Sequence, residues 1–126
     1  MREYKERLVR LSNRKLSSST IHSLRVQCQI PAPGGVSANP TVVSGIAYFP
    51  TWNGSLVALD YSTCKVKRQI NVTQVVVDFR PLAAPASYTF APVSRTSPQV
   101  DLQNSVSYFG IFTWALTVAS DLRTGK

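Results

Sequence analysis

The chain has 126 residues, a net charge of +8 and 44% apolar residues, which suits one folded domain and excludes a disordered chain. No apolar run approaches the roughly 20 residues of a membrane helix, and the first residues lack the apolar core of a secretory signal. One histidine and two cysteines exclude a multi-histidine metal site, a disulfide framework and a four-cysteine zinc site.

Residues 1–20 are predicted to be a basic leader, either flexible or a short helix. The first 25 residues hold seven Lys or Arg against Glu3 and Glu6, so they carry most of the positive charge. A nucleic-acid arm or a membrane-surface arm would also be basic. However, aromatic residues that could stack on bases lie almost entirely elsewhere. We therefore expect a solvated leader and no nucleic-acid partner.

After the leader, short apolar runs alternate with turn residues, and no sustained helical periodicity follows residue 25. Asn53-Gly54 predicts a hairpin with a type I′ turn, in which both central residues need positive φ. Three prolines mark residues 80–92 as an inserted loop. The predicted strands are Leu24–Ile30, Thr41–Val43, Ile46–Phe49, Leu56–Asp60, Val66–Ile70, Val75–Phe79, Gln99–Leu102, Val106–Phe109 and Leu116–Asp121.

The chain also repeats itself. Tyr48-Phe49 recurs as Tyr108-Phe109, about 60 residues later, and Arg25–Ile30 recurs as Lys65–Ile70, 40 residues later. A period of about 40 residues with four short strands is typical of a β-propeller blade. We therefore predict an all-β fold: a partial β-propeller of about two four-stranded antiparallel blades. Its domain spans residues 21–126, with blade pieces at 24–30, 36–70 and 93–126.

Pieces of this size cannot close a propeller ring. The chain is therefore expected to be a fragment of a larger protein, or a truncated gene product, whose partners are the remaining blades. Its end blades would expose apolar faces and strand edges, which predicts self-association of the isolated chain.

The segment Ala58-Leu59-Asp60-Tyr61-Ser62-Thr63-Cys64-Lys65 resembles the A-x-D-x-x-T-G-K repeat of quinoprotein propellers. Residues 119–126 repeat its Ala, Asp, Thr, Gly and Lys. The resemblance is greatest to the polyvinyl-alcohol-dehydrogenase-like group. In this motif Asp60 and Asp121 are expected to accept turn N–H bonds, and Gly125 to supply positive φ. Cys64 occupies the matching glycine position.

The resemblance implies a quinoprotein alcohol dehydrogenase-like parent, in which pyrroloquinoline quinone (PQQ) oxidises a small alcohol and calcium can take part. The chain alone is expected to be inactive, and no catalytic base is assigned. Cys28 and Arg68 stand where the family has tryptophans that pack between blades. The alternative is a non-catalytic propeller scaffold that binds proteins.

By the same resemblance, the loops 37–39 and 95–97 enter the innermost strands and face the central channel. Arg95 is the candidate contact to PQQ, because guanidinium pairs with carboxylates, and Thr96 and Ser97 could add hydroxyl contacts. The alternative is a structural polar cluster. Trp52 and Trp114 could each stack on a cofactor, although hairpin packing is favoured for Trp52.

Two further sequence features bear on the environment of the parent protein. Asn53-Gly54-Ser55 and Asn71-Val72-Thr73 are glycosylation triplets, which permit a secreted parent. Cys28 and Cys64 lie 36 residues apart, and they are expected to remain unpaired. Asp78 and Asp101 belong to no motif.

Overall fold

The computed structural model describes residues 17–79, 92–112 and 115–126. They are mostly β-structure, with one short 3-10 helix at Ile21–Ser23 and one α-helix. In chain order the elements are β1 Thr41–Val43, β2 Ile46–Pro50, β3 Ser55–Asp60, β4 Lys65–Asn71, α1 Val72–Phe79, β5 Gln99–Asp101, β6 Val106–Ile111 and β7 Leu116–Asp121. The predicted leader falls mainly on residues 1–16, and the predicted proline-rich loop mainly on 80–91; both ranges lie outside the described residues.

The strands form two antiparallel sheets. The first sheet has the order β1-β2-β3-β4, and the second has the order β5-β6-β7. Thr41 pairs with Tyr48 in the first sheet, and Gln99 pairs with Tyr108 in the second, so the repeated tyrosines hold the same register. The prediction of a mostly β chain is confirmed, and seven of the predicted strands are found near their expected bounds.

The hairpin at Asn53-Gly54 is present, but its turn type differs from the prediction. The N–H of Gly54 donates to the carbonyl of Thr51 at 3.1 Å, and Thr51 N donates to the carbonyl of Ser55 at 2.8 Å. Only Gly54 of the Asn-Gly pair has a positive φ, of 82°. One left-handed residue after the turn is the pattern of a three-residue loop with a G1 bulge rather than a type I′ turn.

Leu24–Ile30 is not a strand, which corrects the first predicted blade piece. A strand requires a neighbouring backbone, and no described residue pairs with this segment. Its side chains nevertheless alternate, since Cys28 and Ile30 are half-buried while Gln29 is exposed. Cys28 and Ile30 pack against a buried cluster on the first sheet, formed by Phe49, Val57 and Leu59.

The predicted strand Val75–Phe79 is also wrong, because these residues belong to the helix α1. Asn71 caps this helix, its Oδ1 accepting the N–H of Gln74 at 3.0 Å. Val72 and Val76, four residues apart, lie on one face and are fully buried. Burial of that face outweighs the lower helix propensity of valine, which costs at most about 0.7 kcal/mol per residue relative to alanine.

The main core lies between the two sheets and α1. Its buried members come from all three elements, and Ile70, Val75, Leu116 and Val118 pack around them. The buried members are Leu56, Val72, Val76, Phe109 and Ile111. Because neighbouring residues of a strand face opposite ways, Leu56 points toward the second sheet while Val57 points toward segment 24–30.

A disulfide joins Cys28 to Cys64, with 5.4 Å between their Cα atoms. The expectation of two unpaired thiols is therefore wrong. Packing of segment 24–30 on the first sheet brings together two cysteines that are 36 residues apart in the sequence. The bond fixes that segment to the turn between β3 and β4.

Candidate functional site

Arg95 lies between two aromatic rings, one from each sheet. Its guanidinium carbon is 5.0 Å from the ring centre of Trp52 and 5.3 Å from that of Phe112. Both distances allow a cation–π interaction. Trp52 belongs to the β2–β3 hairpin and Phe112 follows β6, so Arg95 joins matching ends of the two sheets. Among residues 17–79, 92–112 and 115–126, no acceptor pairs with its guanidinium N–H groups.

The backbone before Arg95 is held on both sides. Ser94 is buried and forms a β-bridge with Ile111, and Val36 forms the matching bridge with Thr51 in the first sheet. Ser37 Oγ donates to the carbonyl of Ser94 at 2.6 Å. Loops 37–39 and 95–97 therefore lie side by side, each at the entrance to the first strand of its sheet.

Thr96 serves the local structure. Its Oγ1 accepts the N–H of Gly110 at 2.7 Å, and a Cβ added at Gly110 would lie 3.0 Å from its methyl group. The hydroxyl is thus committed to β6, which limits what it can offer a ligand. Ser97 is half-buried, and no described residue hydrogen-bonds to its hydroxyl.

Arg95 also lines an open cavity of about 380 Å³ on the second sheet. Its other walls come from the end of β6 and the start of β7. A cavity with one arginine and mostly apolar walls suits a ligand that carries an anionic group on a flat or apolar body. The lining residues are Arg95, Thr96, Gly110, Ile111, Phe112, Ala115, Leu116 and Thr117.

Trp52 packs in its hairpin and contacts Arg95 as well. Its backbone N–H donates to the carbonyl of Gly35 at 3.0 Å, and a Cβ added at Gly34 would lie 3.3 Å from the Trp52 Cβ. The residue as a whole is 44% exposed. Phe112, which is 72% exposed, is its counterpart 60 residues later, and that offset is the signal that sequence reasoning missed. The second tryptophan candidate, Trp114, lies outside the described residues.

The carboxylates of the repeated motif are turn residues, as predicted. Asp60 Oδ1 accepts bonds from Ser62 Oγ at 2.6 Å and from the N–H groups of Ser62 and Thr63. The Ser62 side chain and then the Thr63 N–H lower the pKa of Asp60 to about 2. Asp121 accepts the N–H groups of Thr124 and Arg123 at 2.7 Å each, which lower its pKa as well.

The remaining predictions about these turns also hold. Cys64 and Gly125 both have positive φ, of 56° and 75°. Asp101, which belongs to no motif, binds the side-chain and backbone N–H groups of Asn104, and these bonds lower its pKa. The turn after β5 is therefore held by a carboxylate in the same way as the turns after β3 and β7.

No family model, curated protein or solved structure matches this chain. Within the described ranges, no cluster of three or more His, Cys, Asp or Glu residues could hold a metal ion. No helix in the same ranges is long and apolar enough to cross a membrane.

Proposed function

We propose that the two sheets are adjacent blades of a quinoprotein-like β-propeller. The supporting observation is that segment 24–30 contacts the first sheet in the same way as the first sheet contacts the second. Cys28 of segment 24–30 lies against Cys64, which occupies the left-handed position of a turn. One repeat later, Arg68 of β4 lies against Gly125, which occupies the same position in the second sheet.

The innermost strands also support this arrangement. Thr41 at the start of β1 donates a hydrogen bond to the carbonyl of Pro98, which precedes β5. Ser37 and Ser94 make the same kind of link, and each pair is separated by 57 residues. First strands that lie side by side are expected when blades are arranged around a common axis.

Arg95 is the proposed contact to an anionic ligand on the channel side of this arrangement. The observation that carries this role is its position: the guanidinium is held between Trp52 and Phe112, and no described acceptor uses its N–H groups. An arginine held in this way can form a bidentate pair with a carboxylate.

By the resemblance, the ligand is PQQ, which carries carboxylates and accepts hydride from an alcohol when bound. Arg95 fits one of those carboxylates, and Ser97 could add a hydroxyl contact. Thr96 fits less well, because its hydroxyl already accepts the N–H of Gly110. A channel site draws residues from several blades, so a single copy of the 126-residue chain, which supplies two sheets, is proposed to lack dehydrogenase activity.

A protein-binding scaffold is the second candidate. It is favoured by the exposure of Trp52 and Phe112 on either side of Arg95. Arginine and large aromatic residues, tryptophan above all, carry much of the energy at protein interfaces, where they form a compact centre surrounded by polar residues. In this reading the rings and the guanidinium contact a partner protein directly.

PQQ titration followed by tryptophan fluorescence separates the two candidates, since Trp52 adjoins the proposed site. If Arg95 contacts PQQ, we expect weak, saturable quenching of tryptophan fluorescence in the unaltered chain and loss of that quenching in Arg95→Gln. Arg123→Gln changes an exposed arginine in the turn after β7, outside the lining of the Arg95 cavity, and should bind like the unaltered chain. Equal quenching in all three proteins, or none in any, would exclude Arg95 as a PQQ contact and leave the scaffold reading. A dye-linked alcohol oxidation assay should show no turnover.

A further inference from the structure

The second sheet has an edge that is formed like the paired edge of the first. In the first sheet, Asp60 at the end of β3 pairs with Lys65 at the start of β4. In the second, Asp121 at the end of β7 donates its N–H to the carbonyl of Lys126 at 2.8 Å. Lys126 thus holds the position of Lys65, and beyond it no described residue pairs with the outer edge of β7.

Segment 24–30 resembles the outer strand of a blade but belongs to neither sheet. Segment 24–30 packs on the first sheet as β4 packs on the second, with Cys28 and Ile30 in the places of Arg68 and Ile70. Its backbone has no strand partner among the described residues. Leu24 is 57% exposed and Val26 is 83% exposed. The segment therefore has the sequence, the packing and the free edge of a fourth strand.

We propose that segment 24–30 of one chain pairs with β7 of a second copy and completes its sheet. The proposal rests on the blade arrangement proposed above. If segment 24–30 pairs with β7 in the register in which β4 pairs with β3, each of its residues has a defined partner. The pairs are Val26 with Ser120, Cys28 with Ala119, Gln29 with Val118 and Ile30 with Thr117. The occupant is a second copy because this chain carries both halves of the contact.

This pairing also covers an exposed face. Tyr48 on the first sheet is half-buried against the second sheet, whereas its counterpart Tyr108 is 42% exposed. In the proposed contact, the first sheet of the second copy packs on the Tyr108 face. The contact includes segment 24–30 of that second copy. Its Phe49 cluster would occupy the place that Phe109 has in the contact between the two sheets of one chain. The contact between copies thereby repeats the contact between sheets within one chain.

The contact is head-to-tail, so it propagates until a ring closes. Each chain supplies two sheets, and propellers hold roughly four to eight blades, which gives a closed ring of about two to four copies. A discrete cyclic oligomer is therefore expected, rather than an open series of aggregates.

Ala119 offers a test that leaves the existing ladder intact. The N–H groups of alternate residues in a strand point to opposite edges, and Asp121 N points outward to Lys126, so the N–H of Ala119 also points outward. Ala119→Pro removes that donor from the open edge, where proline is tolerated. Ala119→Val has a side chain of similar size and keeps the donor.

The masses of the full chain and both variants would be measured by light scattering after size exclusion, with circular dichroism to verify folding. We expect a discrete oligomer for the unaltered chain and for Ala119→Val. Ala119→Pro should associate about tenfold more weakly or worse, since a lost interface hydrogen bond and a steric clash exceed 1.4 kcal/mol. A folded, monomeric unaltered chain would overturn the proposal, as would an oligomer that Ala119→Pro leaves unchanged.

A cross-link provides a second measurement that does not depend on the proline variant. Val118→Cys and Gln29→Cys chains are mixed, oxidised and digested, and the joined peptide is sought by mass spectrometry. It should form in the mixture, and neither variant alone can give it. Absence of that peptide from an oligomeric mixture would also overturn the proposal. Either failure leaves the blade arrangement standing, because the Arg68–Gly125 contact within one chain tests it separately.

Discussion

Cys64, the disulfide partner of Cys28, holds a left-handed backbone with a φ of 56°. A residue other than glycine costs about 1–2 kcal/mol in this conformation. The matching residue of the second sheet is Gly125, which has the same conformation without that cost. Cysteine at position 64 is thus locally unfavourable, and the stability contributed by the disulfide offsets its backbone strain.

Removal of the disulfide should destabilise the chain. The two cysteines are 36 residues apart, and closing a loop of that length in the unfolded state corresponds to about 3–4 kcal/mol. We expect Cys28→Ser with Cys64→Ser to lower the free energy of unfolding by about 2–4 kcal/mol, measured by urea denaturation.

The control for this prediction is Cys28→Ser with Cys64→Gly. It also lacks the disulfide but relieves the left-handed residue, so it should recover about 1 kcal/mol of the loss. Equal stability of the unaltered chain with and without a reductant that opens the bond would contradict the prediction.

The Arg68–Gly125 contact can be tested by a double-mutant cycle. Arg68→Ala removes the hydrogen bond from its Nη1 to the carbonyl of Leu122 and should cost about 1–3 kcal/mol. Gly125→Ala should cost about 1–2 kcal/mol from backbone strain alone. Its Cβ would also lie 3.1 Å from Arg68 Cδ, which adds a clash only while the arginine is present.

The double variant should therefore be more stable than the sum of the two single effects predicts. The coupling is expected to be about 0.5–1 kcal/mol by urea unfolding. Strict additivity would show that β4 and the last turn do not contact each other, and the proposed blade arrangement would lose its main support.

The sequence was sufficient for the strands because alternation and turn residues act locally. It was insufficient where a distant partner decides the outcome. Leu24–Ile30 has the composition of a strand but pairs with no described backbone. The valines of α1 have the composition of a strand too, yet the Asn71 cap and the burial of Val76 between the sheets make them helical.

The site was predictable to a similar extent. The repeat placed Arg95 and loop 37–39 together, because equivalent loops enter equivalent strands. Phe112 was missed, although it lies 60 residues after Trp52. The role of Thr96 was unpredictable for another reason. Its hydroxyl accepts the N–H of Gly110, and the proximity of these two residues depends on the register of β6, which the sequence does not reveal.

Acid should weaken the turn after β3. The pKa of Asp60 in the folded chain is about 2, below the value of about 3.9 for an unfolded aspartate. A depressed folded-state pKa contributes stability that is complete above the unfolded value and is lost as the pH falls toward 2. We expect the urea midpoint to fall over that window. Asp121, whose folded pKa is also lowered, should add to the change.

Ser62→Ala tests the cause of this effect, because the Ser62 hydroxyl makes the largest contribution to the shift. In this variant the pKa of Asp60, followed by carboxyl NMR shifts, should rise toward its ordinary value. An unchanged pKa would assign the depression to the backbone N–H groups instead.

The last prediction compares two glycines that share a conformation but differ in their surroundings. Gly45 and Gly54 have φ of 83° and 82°, so alanine at either should cost about 1–2 kcal/mol in backbone strain. A Cβ at Gly45 would meet nothing within 4 Å, whereas at Gly54 it would lie 2.6 Å from Thr73 Oγ1 and 3.3 Å from the carbonyl of Pro92. Those two atoms form the 3.2 Å hydrogen bond that ties α1 to the start of the second sheet. Gly54→Ala should therefore cost about 1–3 kcal/mol more than Gly45→Ala, measured by urea unfolding, because the new methyl group must displace this link. Equal losses for the two variants would mean that the hairpin does not pack against Thr73 and Pro92.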